Sequence, residues 1–230
     1  MIRCEGLMFD YPDRTPALDG LDLEIGAGER VAITGRNGSG KSTLVRHWNG
    51  LLRPMAGRVL VDGAPTERRR VAELARTVGL VFQDPGSQLF GRTCRAEVEF
   101  GARNVGLRAA ALETAVDAGL EAVGLADAAA TNPYDLGLAR RKLLALASVL
   151  AMGTPVVVID EPTPGQDARG LAHLRWVVAN LASEGRTVVA ISHDRRFITE
   201  SFERVVFHDA GRVVADGSPT ELLGDDRRKG

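Results

Sequence analysis

Gly35-Arg36-Asn37-Gly38-Ser39-Gly40-Lys41-Ser42 has the spacing of a phosphate-binding loop, a glycine followed by four variable residues, Gly-Lys and a hydroxyl residue. The apolar run Val31-Ala32-Ile33 stands before it, and Thr43-Leu44-Val45, readable as the start of a helix, stands after it. In that strand–loop–helix setting the pattern reads as an anion site. The glycines at 35, 38 and 40 permit positive φ and close approach, so the N–H groups of Asn37 to Ser42 can wrap a β-phosphate at the positive end of the helix. Lys41 adds a point charge between β- and γ-phosphates, Ser42 offers a hydroxyl to Mg²⁺, and Thr43 is placed for an α-phosphate oxygen.

Working outward, Val156-Val157-Val158-Ile159 is a strand signal that ends in Asp160-Glu161. At the tip of a buried strand facing the phosphate loop, Asp160 is expected to hold Mg²⁺ through water. Glu161 is expected to orient and polarise the water that attacks the γ-phosphate. Gln83 follows the strand signal Val78–Phe82, and its neutral amide can touch the metal, its water and a movable segment. His193 follows Thr187–Ile191 and can hydrogen-bond the γ-phosphate or bracket Glu161. His47 and His208 lack such context and are read as structural.

Polar clusters at the carboxyl ends of several strands, each ahead of a helical pattern, describe an α/β fold, a P-loop NTPase core with a mixed sheet. Gly20–Ile25 and Arg58–Gly63 carry alternation and a turn signal, which predicts an antiparallel β flank in the opening third. From about 88 to 152 strand signals give way to helical spacing over Ala109–Val123 and Arg140–Met152, predicting an inserted helical subdomain, with 1–87 and 153–230 forming the core. Gly170–Ser183 is a further amphipathic helix, in which His173 and Trp176 are assigned to packing and surface.

The chain has 230 residues, 44% of them hydrophobic and 26% charged, which is globular composition with material for one sizeable core. A net charge of −1 advertises no basic face, so nucleic acid is not the expected partner, and Arg68-Arg69-Arg70 reads as a solvated helix face. Cys4 and Cys94 have no metal-ligand spacing and fit a reducing compartment. The longest apolar run, Leu143–Met152, falls well short of the ~20 residues of a spanning helix, so membrane association is expected only through partners.

Taken together the chain resembles the ATPase subunit of an ATP-binding cassette (ABC) transporter over nearly its whole length. Its motifs stand in that family's order: GRNGSGKST at 35–43, Gln83 of the Q-loop, VVVIDEPT at 156–163, Asp167 of the D-loop and His193 of the switch region. The resemblance implies ATP as ligand and assigns Tyr11 to the aromatic position that stacks on adenine, with Phe9 as the competing ring. The segments Val81–Phe90 and Val98–Gly101 are similar, more narrowly, to the ATPases of energy-coupling factor importers, which take up vitamins and metal ions such as cobalt or nickel. That likeness implies a location on the cytoplasmic face of the membrane and a groove, lined by Gln88, Leu89 and Phe90, that receives a transmembrane coupling subunit. The apolar pair reads equally well as core.

The chain departs from the family at one motif. Where relatives carry Leu-Ser-Gly-Gly-Gln, which closes over the nucleotide of the opposing subunit, this sequence has Leu136-Gly137-Leu138-Ala139-Arg140. The hydroxyl and both glycines are lost, while Arg140, Arg141 and Lys142 are expected to attract phosphate electrostatically. A chain intact on its own side and altered on the side it lends predicts a heterodimer with a second ABC ATPase, in preference to a homodimer. Pro164 and Gln166 also depart from the usual D-loop. A non-transport ABC ATPase and a weakly active regulatory subunit are the rival readings.

Overall fold

Short runs of Val, Ile and Ala make the central strands, because β-branched side chains fit a sheet covered on both faces. The computed structural model describes residues 2–224. In chain order the elements are β1 (Ile2–Asp10), β2 (Pro16–Ile25), β3 (Arg30–Thr34), α1 (Lys41–Trp48), β4 (Ala56–Val61), β5 (Ala64–Pro65), α2 (Val71–Leu74) and β6 (Val78–Val81). There follow α3 (Cys94–Asn104), α4 (Ala109–Ala122), α5 (Leu138–Ala151), β7 (Val156–Asp160), α6 (Ala168–Ser183), β8 (Thr187–Ile191), α7 (Arg195–Ser201), β9 (Arg204–Asp209), β10 (Arg212–Gly217) and α8 (Pro219–Leu223).

A six-stranded mixed sheet has the order β10-β9-β3-β8-β7-β6, parallel except for β10. An antiparallel sheet of order β2-β1-β4-β5 lies on one flank. The period of two along each strand divides the core. Val31, Ile33, Val158 and Val189 join the apolar cluster shared with α1 and the antiparallel sheet. Ala32, Val157, Val188 and Ala190 point the other way, into the cluster built with α3, α4, α5 and α6.

Helix boundaries move slightly from those expected. α5 begins at Leu138, two residues early, because Gly137 is extended (φ −62, ψ 157) and serves as its N-cap. α6 begins at Ala168, where Asp167 accepts a 2.7 Å bond from the Gly170 N–H. Arg68-Arg69-Arg70 is not a helix face. Arg68 closes a 3-10 turn, and Arg70 is the N-cap of α2 and pairs with Glu73. No helix among the described residues is long and apolar enough to cross a membrane.

Trp48, at the end of α1, ties the phosphate-loop helix to the antiparallel flank. It is fully buried, and its indole N–H donates to Cys4 Sγ at 3.3 Å. Trp48→Ala is expected to cost about 3–5 kcal/mol in urea unfolding. A loss below about 1 kcal/mol would show that this packing is not what joins the two sheets.

Candidate active site

Parallel pairing brings the loops after β3, β7 and β8 to one edge. Ile33 and Asp160 are both in register with Ile191, Ser192 N donates to Ile33 O at 3.1 Å, and Glu161 N donates to Ile191 O at 2.9 Å. The phosphate loop, the carboxylate pair and His193 are therefore neighbours, although they are far apart in the chain.

The loop needs its glycines for reasons of space as well as of torsion. Gly35 (φ +138) lies so close to β9 that a Cβ would sit 1.8 Å from the His208 carbonyl oxygen, and a Cβ on Gly40 (φ +104) would sit 2.2 Å from the Ala17 carbonyl oxygen. Lys41 Nζ is folded back onto the carbonyls of Gly35 (2.7 Å) and Arg36 (2.8 Å). A cleft of about 510 Å³, in the range of small-molecule sites, is lined by Asn37, Gly38, Ser39, Gly40, Lys41, Ser42 and Thr43 together with Tyr11, Gln83, Asp160 and Glu161. Tyr11 faces this cleft, with its hydroxyl 2.9 Å from Thr43 Oγ1. Phe9 packs edge-on behind it and against His47.

Asp160 is 4% exposed, and burial raises its pKa against the opposing hydrogen bond from Ser42 and the nearby Arg46 and Lys41 charges. Its Oδ1 has no hydrogen-bond partner among the described residues. A buried, unpartnered carboxylate oxygen on the same group that engages a loop hydroxyl is the donor chemistry of a hard divalent cation, so Asp160 and Ser42 fit Mg²⁺. Gln83 is exposed and lines both this cleft and a neighbouring one that contains His193.

Glu161 is 8% exposed, and burial first, then Asp160, raises its pKa. It adopts φ +50, which turns the chain sharply after β7, and its Oε1 lies 3.2 Å from His193 Nε2. Burial, then Lys41, lowers the His193 pKa, so a neutral ring is favoured beside the carboxylate.

The altered segment differs from expectation in its charges. Leu136 is buried, Gly137 and Leu138 are exposed, Ala139 is half-buried, and Arg140 pairs with Asp127 at 3.2 Å. Arg141 donates to the Leu136 carbonyl, and Lys142 is buried with Nζ 2.7 Å from the Glu161 carbonyl. Lys142 does not reach out to attract phosphate. Of the two readings of Leu89 the core one holds, since Leu89 is 2% exposed, while Gln88 accepts from Phe82 N. Phe90 is 60% exposed and stacks edge-on against Phe100, with centroids 4.6 Å apart, beside an apolar groove of about 610 Å³.

With this geometry in place, the sequence model of the ABC transporter family matches residues 18–164. The chain belongs to the ABC transporter family. It is 40% identical over 227 residues to the energy-coupling factor transporter ATP-binding protein EcfA of Methanothermobacter thermautotrophicus, covering 98% of this chain and 73% of that protein. EcfA of Methanocaldococcus jannaschii is 36% identical over 227 residues, covering 98% and 81%. Among solved structures, cbiO1 from Clostridium perfringens, part of the ABC transporter complex cbiONQ, superposes with a TM-score of 0.85 at 34% identity, covering 99% of this chain and 92% of that one. An ATP-binding cassette solved as a dimer bound to ADP and Pi has a TM-score of 0.85 at 25% identity, covering 95% and 99%. This ABC protein is thus an ATPase subunit of a transporter with a P-loop NTPase fold.

Sequence spacing carries no hint of the place of His208 beneath the ATPase's phosphate loop. This histidine is fully buried on β9, with Nδ1 3.2 Å from Ser39 Oγ. Burial, then Lys41, pushes its pKa from 6.5 down to about 4. A proton therefore binds the unfolded chain first. Stability that is complete above pH 6.5 is withdrawn as pH falls towards 4, by on the order of 3 kcal/mol. Urea titrations of the parent and His208→Asn should diverge in slope across that window, and parallel curves would contradict the assignment.

Proposed function

We propose that this chain binds MgATP in the 510 Å³ cleft and hydrolyses it to power a membrane importer of the energy-coupling factor type, working at the cytoplasmic face. The observation that carries the reading is the Glu161 carboxylate, buried, 3.2 Å from His193 Nε2 and lining the same cleft as Lys41, Ser42 and Asp160. When the triphosphate enters, Lys41 exchanges the loop carbonyls for β- and γ-phosphate oxygens. Tyr11 stacks on the adenine, and Thr43 turns to the α-phosphate. The loop N–H groups from Asn37 to Ser42, with Gly35, Arg36, Gly38, Ser39 and Gly40 shaping the bend, supply fixed donors that need no reorganisation.

Ser42, Asp160 and Gln83 would hold Mg²⁺, which would supply positive charge against the phosphates. Glu161 accepts a hydrogen bond from the attacking water and aligns it in line with the γ-phosphate. Its raised pKa leaves it more basic than an ordinary carboxylate. His193 fixes the orientation of Glu161 through the 3.2 Å contact and presents its other face to the γ-phosphate.

The EcfA and cbiO1 likenesses support an importer that carries a vitamin or transition-metal ion. The exposed Phe90–Phe100 pair beside an apolar groove suits a helix of a transmembrane subunit. Residues 88–152 form the helical subdomain that contributes Phe90 and Phe100 to this groove, and, among the described residues, 2–87 with 153–224 form the core. The segment Leu136–Arg140 lacks a hydroxyl for a γ-phosphate, so the chain pairs with a second ATPase that contributes an intact signature over Lys41 and Glu161. Loss of a single preorganised donor lowers turnover by about 10²–10³.

Steady-state phosphate release tests this reading. Glu161→Gln is expected to retain ATP and hydrolyse it at least about 100-fold more slowly. The chain alone should hydrolyse slowly and gain rate with its partner ATPase. Unchanged turnover in Glu161→Gln removes that residue from the mechanism, and brisk hydrolysis by the isolated chain excludes the heterodimer.

A further inference from the structure

Lys142 has no part in the reading above, yet it is buried beside the two strand-end carboxylates, on the second turn of α5. An ammonium group taken out of water needs a fixed partner. Here the partner is a main-chain carbonyl, because Nζ donates to Glu161 O at 2.7 Å. That peptide is strained. Glu161 sits at φ +50, in the left-handed region that a residue bearing Cβ enters only when its surroundings hold it there. Its N–H donates to Ile191 O at 2.9 Å. Glu161 is therefore clamped to β8 through its N–H and to α5 through its C=O, and its side chain leaves that clamp towards His193, 3.2 Å away.

A second bond fastens the same helix to the same loop. Gln166 Nε2 donates to the Ala139 carbonyl at 3.0 Å. Residue 170 is glycine where a Cβ would lie 2.2 Å from Gln166 Oε1, so the space for this amide is kept. The start of α5 is thus tied at Ala139 and Lys142 to the chain that runs from Glu161 to Asp167.

We propose that Lys142 is a positioning residue that holds Glu161 in its left-handed conformation and so makes the aim of the hydrolytic carboxylate depend on the placement of α5. The inference rests on Glu161 being that carboxylate. Lys142 holds Glu161 through its main-chain carbonyl, and its charge also opposes the rise of the Glu161 pKa. Without a donor at this point the carbonyl is left unpaired, the torsion relaxes and the carboxylate swings off line. A misplacement of ~1 Å costs about 10²-fold in rate.

The test is ATP hydrolysis and ATP binding by the full chain, isolated with the subunits that co-purify with it, in the parent, Lys142→Met, Lys142→Arg and Glu161→Gln forms. Lys142→Met should lower kcat about 10- to 100-fold, with the KM for ATP close to that of the parent. Lys142→Arg, which keeps a cationic donor, should recover most of the rate. Should the Met form not fold, Lys142→Leu, which also lacks a donor, takes its place with the same expectation. Unchanged kcat in Lys142→Met beside an inactive Glu161→Gln overturns the inference and leaves the Glu161 reading standing. So does a joint fall in kcat, ATP binding and thermal midpoint that Lys142→Arg fails to rescue, since that describes packing alone. Parental turnover in Glu161→Gln removes the reading on which the inference rests.

Discussion

The register of three parallel strands governs everything else in this molecule. β3, β8 and β7 are hydrogen-bonded side by side, with Ile33 and Asp160 level with Ile191. The chain leaves all three strands at the same edge, so a glycine bend, a carboxylate pair and a histidine meet there without any long-range side-chain contact having to bring them together. A slip of one residue in β7 would turn Asp160 from one face of the sheet to the other. The alternation that assigns Val158 to one apolar cluster and Val157 to the other is what resists that slip.

At that edge charge is balanced closely. Asp160 and Glu161 are buried together, and desolvation raises both pKa values, while Lys41 and Lys142 oppose the rise. The same burial lowers both lysines, and the carboxylates oppose that fall. Each lysine thus favours the charged form of the carboxylates and each carboxylate that of the lysines, while Asp160 opposes that of Glu161. Lys41, lodged on two carbonyls of its own loop, is held close to where a phosphate belongs. A triphosphate that arrives with a divalent cation adds charge to a site already wired to receive both signs.

Much of this was legible in the chain because local patterns carried it. Val31–Thr34, Val156–Ile159 and Thr187–Ile191 have the composition of covered strands and became β3, β7 and β8 with shifts of at most one residue. The phosphate loop was legible because its glycines answer steric demands at fixed spacing. β1 and the β9–β10 hairpin were not, since β1 is interrupted by bulges between Cys4 and Phe9, and the hairpin takes its shape from pairing with β3. The histidine beneath the loop follows from that gap, because His208 reaches Ser39 only once β9 lies beside β3. Lys142 was misread for a similar reason. Among basic neighbours it reads as a phosphate attractor, whereas in the fold its Nζ turns inward to the Glu161 carbonyl.

The same contrast separates the two ends of the catalytic machinery. The chain presents a complete loop, carboxylate pair and histidine on one side, and on the other a helix start with an exposed Leu138 and an Arg140 engaged with Asp127. Everything assigned to the first side requires that a triphosphate be held by the bend at 35–43. The direct measurement is equilibrium binding of a fluorescent ATP analogue with Mg²⁺ to the parent and to Lys41→Ala, each first shown to have the parental circular dichroism spectrum. The account predicts saturable binding by the parent and an affinity about 100-fold lower for Lys41→Ala. Equal affinity in the two forms would contradict it.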